Sequence, residues 1–200
     1  MSSSARRPRS DAMRNRERVL AAAEDEFAEK GIEASVSDIA RRAGVAKGTV
    51  FSHFATKEEL IVAVVANHLA ELREVAERLA EAPDPGAALL EFLTVAGDRR
   101  RQRDLTFLIS AGAGDATVTE IRNSLHADVT VLVDRARGCG ALRHDVTGTD
   151  VFLLICAPVH VVENLPGAPA DLWLRYLTII FDGLRPEGAS PLPRPAPDWA

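Results

Sequence analysis

The chain has 200 residues, 46% of them hydrophobic and 26% charged, with a net charge of -5 and a pI near 5.6. That composition excludes a disordered or fibrous protein and supplies enough apolar mass for one sizeable core, or for a small headpiece plus a larger domain. Its two cysteines, Cys139 and Cys156, form no CxxC pair and exclude a disulfide framework, which fits a reducing cytoplasm.

The charge is unevenly distributed. Six arginines (Arg6, Arg7, Arg9, Arg14, Arg16, Arg18) crowd the first eighteen residues against only Asp11 and Glu17. The body beyond residue 60 is acidic, so a basic front end sits on an acidic remainder. The first apolar stretch is interrupted by Glu24, Asp25 and Glu26, which is not the pattern of a signal peptide. The most apolar run, Val151 to Val162, is shorter than the roughly 20 residues that cross a bilayer, so no membrane partner is expected.

Ala, Leu, Arg and Glu recur at helical spacing, and the chain reads as all-α. Residues 1–12 are rich in Ser, Arg and Pro and are expected to form a disordered basic arm. A first helix is expected from Met13 to Lys30, with Val19, Leu20, Ala23 and Phe27 as its apolar stripe and Gly31 as its stop. Ser35 and Asp38 have the spacing of a capping box and open a second helix, Val36 to Ala43, ended by Gly44. A short third helix covers Lys47 to His53. Thr56 and Glu59 open a fourth that continues toward Ala80, ahead of Pro83 and Pro85. At 1.5 Å per residue that helix is roughly 36 Å long, too long for a headpiece alone. Further helices are expected over 85–98, 103–113, 115–137, 149–165 and 169–184, with a kink at Pro158. Residues 186–200 hold five prolines and read as a flexible tail.

The segment SVSDIARRAGVAKGTVFSHF, from Ser35 to Phe54, carries the functional signal. Ile39 and the small Ala40 let a second helix approach closely. Gly44 stands where a tight turn needs positive φ. Val45 and Val50 pack the third helix onto the second, which leaves Lys47, Gly48, Thr49, Ser52 and His53 facing outward. Short polar and basic side chains on such a face suit base edges and phosphates in a major groove.

The order of Phe27, Gly31, Ile39-Ala40, Gly44, Phe51-Ser52-His53-Phe54 and Lys57 resembles the signature of the TetR family of transcriptional regulators, and the match covers about Arg14 to Leu69. The resemblance implies a helix-turn-helix over 35–54 inside a three-helix DNA-binding headpiece (13–58). A long helix would join it to a helical effector-binding and dimerisation domain (59–185). It implies DNA contacts from Arg14, Arg16, Ser35, Ala46, Lys47, Gly48, Thr49, Phe51, Ser52, His53 and Lys57. Family members often carry Tyr at the position of Phe51, and Phe lacks the hydroxyl that would bond a phosphate. The partners implied are double-stranded palindromic operator DNA, a second copy of the chain joined through the last two helices, and a small apolar or amphipathic effector. Leu69, Phe92, Leu93, Phe107, Leu108, Leu125, Phe152 and Trp173 are candidates to line the effector pocket, because they are apolar and lie on helices able to surround one cavity.

Other readings of the same residues compete. The Arg99, Arg100, Arg101 and Arg103 cluster follows a helix and suits its C-terminal dipole as a solvated end. Gly112-Ala113-Gly114 lacks the third glycine and preceding strand of a dinucleotide fingerprint. His144-Asp145 and His160-x-x-Glu163 fall short of a four-ligand zinc set, and no serine or cysteine sits in a nucleophile elbow. No metal, cofactor or enzymatic activity is expected. A regulator without ligand control, or a small-molecule-binding helical protein with a vestigial headpiece, remain the alternatives to a ligand-released repressor.

Overall fold

The computed structural model describes residues 6–102, 105, 108, 112, 114–155, 157–163 and 165–199, and no strand occurs among them. The helices are α1 (Arg6–Lys30), α2 (Val36–Ala43), α3 (Lys47–His53), α4 (Lys57–Leu79), α5 (Pro85–Gln102), α6 (Ala116–Gly138), α7 (Gly148–Leu154), α8 (Ala157–Glu163) and α9 (Leu172–Gly183). They form two compact units, one of residues 1–68 with 103–119 and one of 69–102 with 120–200.

In the first unit, Val19, Leu20, Ala23 and Phe27 of α1 are buried, as their spacing requires. They meet Ile39, Ala40 and Ala43 of α2, Val50 of α3, Phe54, and Leu60 and Val64 of α4 in one apolar core. Phe27 is wholly enclosed, and burial of a side chain of that size stabilises by about 3 kcal/mol. A 3₁₀ turn, Gly31–Glu33, leads from α1 to α2, with Gly31 at φ 63°. Asn67 of α4 donates from Nδ2 to the buried Glu24 of α1 over 3.2 Å.

Helix α1 begins at Arg6 rather than at Met13, so residues 6–12, expected as a disordered arm, are helical. Pro8 is compatible with this start. It lies in the first turn, where backbone N–H groups have no intrahelical acceptor and a missing one costs nothing.

The second unit packs α5 and the longer part of α6 with α7, α8 and α9. Its core holds Leu89, Phe92 and Leu93 of α5, Leu125, Val129 and Leu132 of α6, Val151 of α7, and Trp173, Leu177 and Phe181 of α9. Gly97 admits the Trp173 ring to α5: a methyl there would lie 2.5 Å from ring carbon Cζ3. Arg73 of α4 holds Asp128 of α6 over 2.7 Å, and Arg99 pairs with Glu71.

The helix expected over 149–165 is two helices. Thr147 and Asp150 form a full capping box at the start of α7, each side chain bonding the other's backbone N–H. Pro158 would clash with the carbonyl four residues earlier in a continuous helix, and that residue is Leu154, the last of α7. The helix expected over 103–113 falls largely outside the described residues. Residues 186–199 form no helix, as expected, but they are tied down rather than free. Arg143 donates to the Ser190 carbonyl, and Trp199 docks on α6. Proline density hid this anchoring, since a single aromatic ring has no periodicity to read.

Candidate nucleic-acid interface

The site is built from α2, the turn after it, and α3. Ser35 caps α2 in extended backbone: its Oγ accepts from the Asp38 N–H over 3.1 Å and donates to the Asp38 carboxylate over 2.9 Å. That hydroxyl, and then Lys30, hold the Asp38 carboxyl below its ordinary value. Buried Glu26 of α1 pairs with Lys30 over 2.6 Å and with Arg42 of α2 over 3.0 Å. Arg42 also bonds Glu29 over 2.6 Å and lowers that carboxyl. These ion pairs fix α2 on the end of α1.

Gly44 ends α2 at φ 65° and ψ 38°. The Gly44 N–H bonds the Arg41 carbonyl over 3.2 Å and the Val45 N–H bonds the Ala40 carbonyl over 3.0 Å, a Schellman stop. Arg18 of α1 reaches across and donates to the Ala43 carbonyl over 2.5 Å, placing a cation on the negative end of α2. A methyl on Gly44 would lie 2.8 Å from the same Arg18 nitrogen, so the φ of 65° calls for glycine and a side chain there would also push the Arg18 guanidinium aside.

Helix α3 is anchored by Val50 and Phe54, both buried. Its opposite face presents Lys47, Gly48, Phe51 and Ser52 to solvent, with Thr49 and His53 half-buried beside them. Phe51 is 43% exposed, which assigns it to the surface and leaves Phe54 to the core. The Lys47 ammonium lies 5.8 Å from the Phe51 ring centre, so cation and exposed ring form one patch. Ser52 Oγ bonds the Thr49 carbonyl over 2.7 Å. Ala46, at the start of α3, makes no side-chain cap.

The flanking expectations land at different places. Arg16 stands 5.3 Å above the Phe54 ring, and Arg14 pairs with Asp11 over 2.5 Å. Lys57 opens α4 but donates to the Ile32 carbonyl, with its ammonium 6.0 Å from the Phe27 ring. Lys57 therefore also ties α4 to the turn after α1. Arg18, counted in the sequence only among the basic residues, is the helix-turn clamp that sequence reasoning missed. Its spacing from Gly44 carries no local signal.

Of the apolar positions named for an effector, Leu69, Phe92, Leu93, Leu125 and Trp173 are buried and belong to the second unit. Leu108 is buried and belongs to the first, and Phe107 lies outside the described residues. Phe152 is half-buried, in an aromatic cluster with His126 and Trp199.

A polar and aromatic face on a short helix, packed through Val50 against a partner helix that buries Ile39, Ala40 and Ala43 and ends in an αL glycine, defines a helix-turn-helix protein of the DNA-binding class. Residues 19–64 match the family described as bacterial regulatory proteins, tetR family, and residues 84–186 match the SbtR-like transcriptional regulator C-terminal domain. The TetR transcription regulatory protein from Mycobacterium vanbaalenii is 33% identical. Its superposition has a TM-score of 0.66 over 88% of this chain and 98% of that one. The TetR transcriptional regulator SCO0520 from Streptomyces coelicolor is 30% identical, with a TM-score of 0.68 over 86% and 99% of the two chains. The HTH-type transcriptional regulator YvdT of Bacillus subtilis is 44% identical over 54 residues, 26% of this chain and 28% of YvdT, so the chain spans under a third of that relative.

The chain belongs to the TetR family. It is a DNA-binding transcriptional regulator rather than an enzyme. Regulators of this family bind DNA and small-molecule effectors and act as dimers. Among the described residues, no helix is long and apolar enough to cross a membrane.

Proposed function

We propose that the chain is a repressor that binds a palindromic operator as a homodimer and leaves it when a small effector binds. The observation that carries this reading is the exposed face of α3, where Lys47, Gly48, Phe51 and Ser52 lie together over the buried Val50 and Phe54. Lys47, Gly48 and Thr49 are assigned to base edges and the adjacent backbone. Ser35, Ala46, Phe51, Ser52, His53 and Lys57, with Arg14 and Arg16 of α1, are assigned to the phosphate backbone. Phe51 contributes van der Waals contact in place of the missing hydroxyl.

Dimerisation through the last helices is supported by large apolar side chains left in solvent there. Leu153 of α7, Val161 of α8 and Ile179 of α9 are each more than half exposed. A monomer gains nothing by exposing them, and a two-fold partner would cover them. The effector is assigned to the second unit, lined by apolar residues such as Leu69, Phe92, Leu93, Leu125 and Trp173. It releases DNA only if it binds the off-DNA conformation more tightly. Action in the cytoplasm follows from this role.

An electrophoretic shift against DNA upstream of the protein's own coding sequence tests the reading. Salt-sensitive binding far tighter than to random duplex is expected. Binding equal to that of random duplex rejects a sequence-specific regulator.

A further inference from the structure

The two tryptophans of the chain have different surroundings. Trp173 is buried between helices, whereas Trp199 closes a proline-rich strap and is held from four sides. The His126 imidazole stacks on its ring with centres 4.0 Å apart and planes 7° from parallel. Phe152 of α7 meets it edge-on at 4.8 Å and 73°. The Arg122 guanidinium lies 4.9 Å from the ring. The indole N–H donates to Asn123 Oδ1 over 3.0 Å. His126 is itself fixed, 3.1 Å from Thr149 Oγ1 and edge-on to Phe152 at 5.6 Å. Burial, and then the neighbouring Arg122 charge, hold the imidazole below its ordinary pKa, so it stacks as a neutral ring.

This seat contains the elements that recognise a planar N–H heteroaromatic: a stacking face, an edge, a cation and one aimed acceptor. The strap contributes little else. Arg143, clamped by Asp145, anchors it at Ser190, while residues 191–195 and 197–198 are exposed. Docking therefore depends on one side chain.

We propose that Arg122, Asn123, His126 and Phe152 form a binding site for planar N–H heteroaromatic rings, occupied in this structure by the chain's own Trp199. The ring clamps α6 to α7, and a free ligand of the same chemistry competes with it. The inference does not rest on the apolar effector pocket proposed above; of its four residues only Phe152 is among the sequence candidates for that pocket. A short tether holds Trp199 at an effective concentration on the order of millimolar, so the seat is masked from weaker free ligands.

The test is calorimetric, with indole as the probe and 1-methylindole as the control lacking the N–H. Trp199→Ala should bind one indole per chain at least tenfold more tightly than the unaltered chain. It should bind 1-methylindole at least fivefold more weakly than indole, and adding His126→Ala should abolish binding. Equal indole binding by the two chains, no binding by a Trp199→Ala chain with native circular dichroism, or no discrimination between the probes would overturn the proposal. A second measurement avoids emptying the seat. In Trp173→Phe the tryptophan emission comes from Trp199 alone when excited beyond the absorption of Tyr176, and benzimidazole should raise its quenching by acrylamide. Unchanged quenching at saturating benzimidazole contradicts the competition.

Discussion

Replacing Gly44 with alanine isolates the physics of the helix-turn-helix turn. The backbone there sits at φ 65°, a conformation that costs an alanine about 1–2 kcal/mol. The added methyl would lie 2.8 Å from Arg18 Nη2, so the guanidinium must shift and is expected to give up its bond to the Ala43 carbonyl. Losing that partly exposed bond costs about 1 kcal/mol. Stiffening of the unfolded chain returns about 0.5 kcal/mol. The net expectation is a loss of about 2 kcal/mol, read by urea unfolding at fixed protein concentration. A cycle with Arg18→Met separates the two causes. In the chain that keeps Arg18 the full loss appears; once Arg18 has been replaced, the cost of Gly44→Ala should fall by about 1 kcal/mol. A Gly44→Ala cost below about 0.5 kcal/mol would refute the positive-φ requirement. Equal costs in the two backgrounds would refute the steric role assigned to Arg18.

Three further outcomes follow from the same geometry. Phe51→Tyr adds a hydroxyl to an exposed ring beside Lys47 and should tighten operator binding by about fivefold, or about 1 kcal/mol, in fluorescence anisotropy. Unchanged or weaker binding would place that ring away from the DNA backbone. Lys57→Ala should weaken binding to all operators alike and flatten the salt slope by about one charge, whereas altered sequence preference would contradict a phosphate role. Asp145 is held down to about 2 from 3.8 chiefly by its bond to Arg143, so its stabilising contribution is present above pH 3.8 and is lost as pH falls through about 2. Asp145→Asn should therefore lower the urea midpoint at neutral pH, by a gap that narrows between about pH 4 and pH 2. A gap independent of pH would show that the pair stabilises by packing alone.

The headpiece was legible because its signals are local. Ser35, Gly44, Thr56 and Lys57 mark helix ends within a few residues, and α2 and α3 fall where those marks put them. The burial of Val19, Leu20, Ala23 and Phe27 follows from their shared face. The features that escaped are long-range. Arg18 reaches 25 residues along the chain to cap α2, and nothing near it in the sequence marks an acceptor. Lys57 looks like a free cation until α4 packs and its ammonium meets the Ile32 carbonyl. Phe51 and Phe54 are the same residue type three positions apart, and only the packed helix separates exposed from buried. Trp199 lies 76 residues from Asn123, so composition alone read its strap as free.

The central claim is that the exposed face of α3 reads DNA sequence. Selection of bound duplexes from a randomised DNA pool tests it most directly, with the wild-type chain and Lys47→Ala run in parallel. The account predicts that the wild type enriches an inverted repeat and that Lys47→Ala relaxes the preference at a symmetric pair of positions within it. A pool with no consensus, or an identical consensus from both proteins, would contradict it.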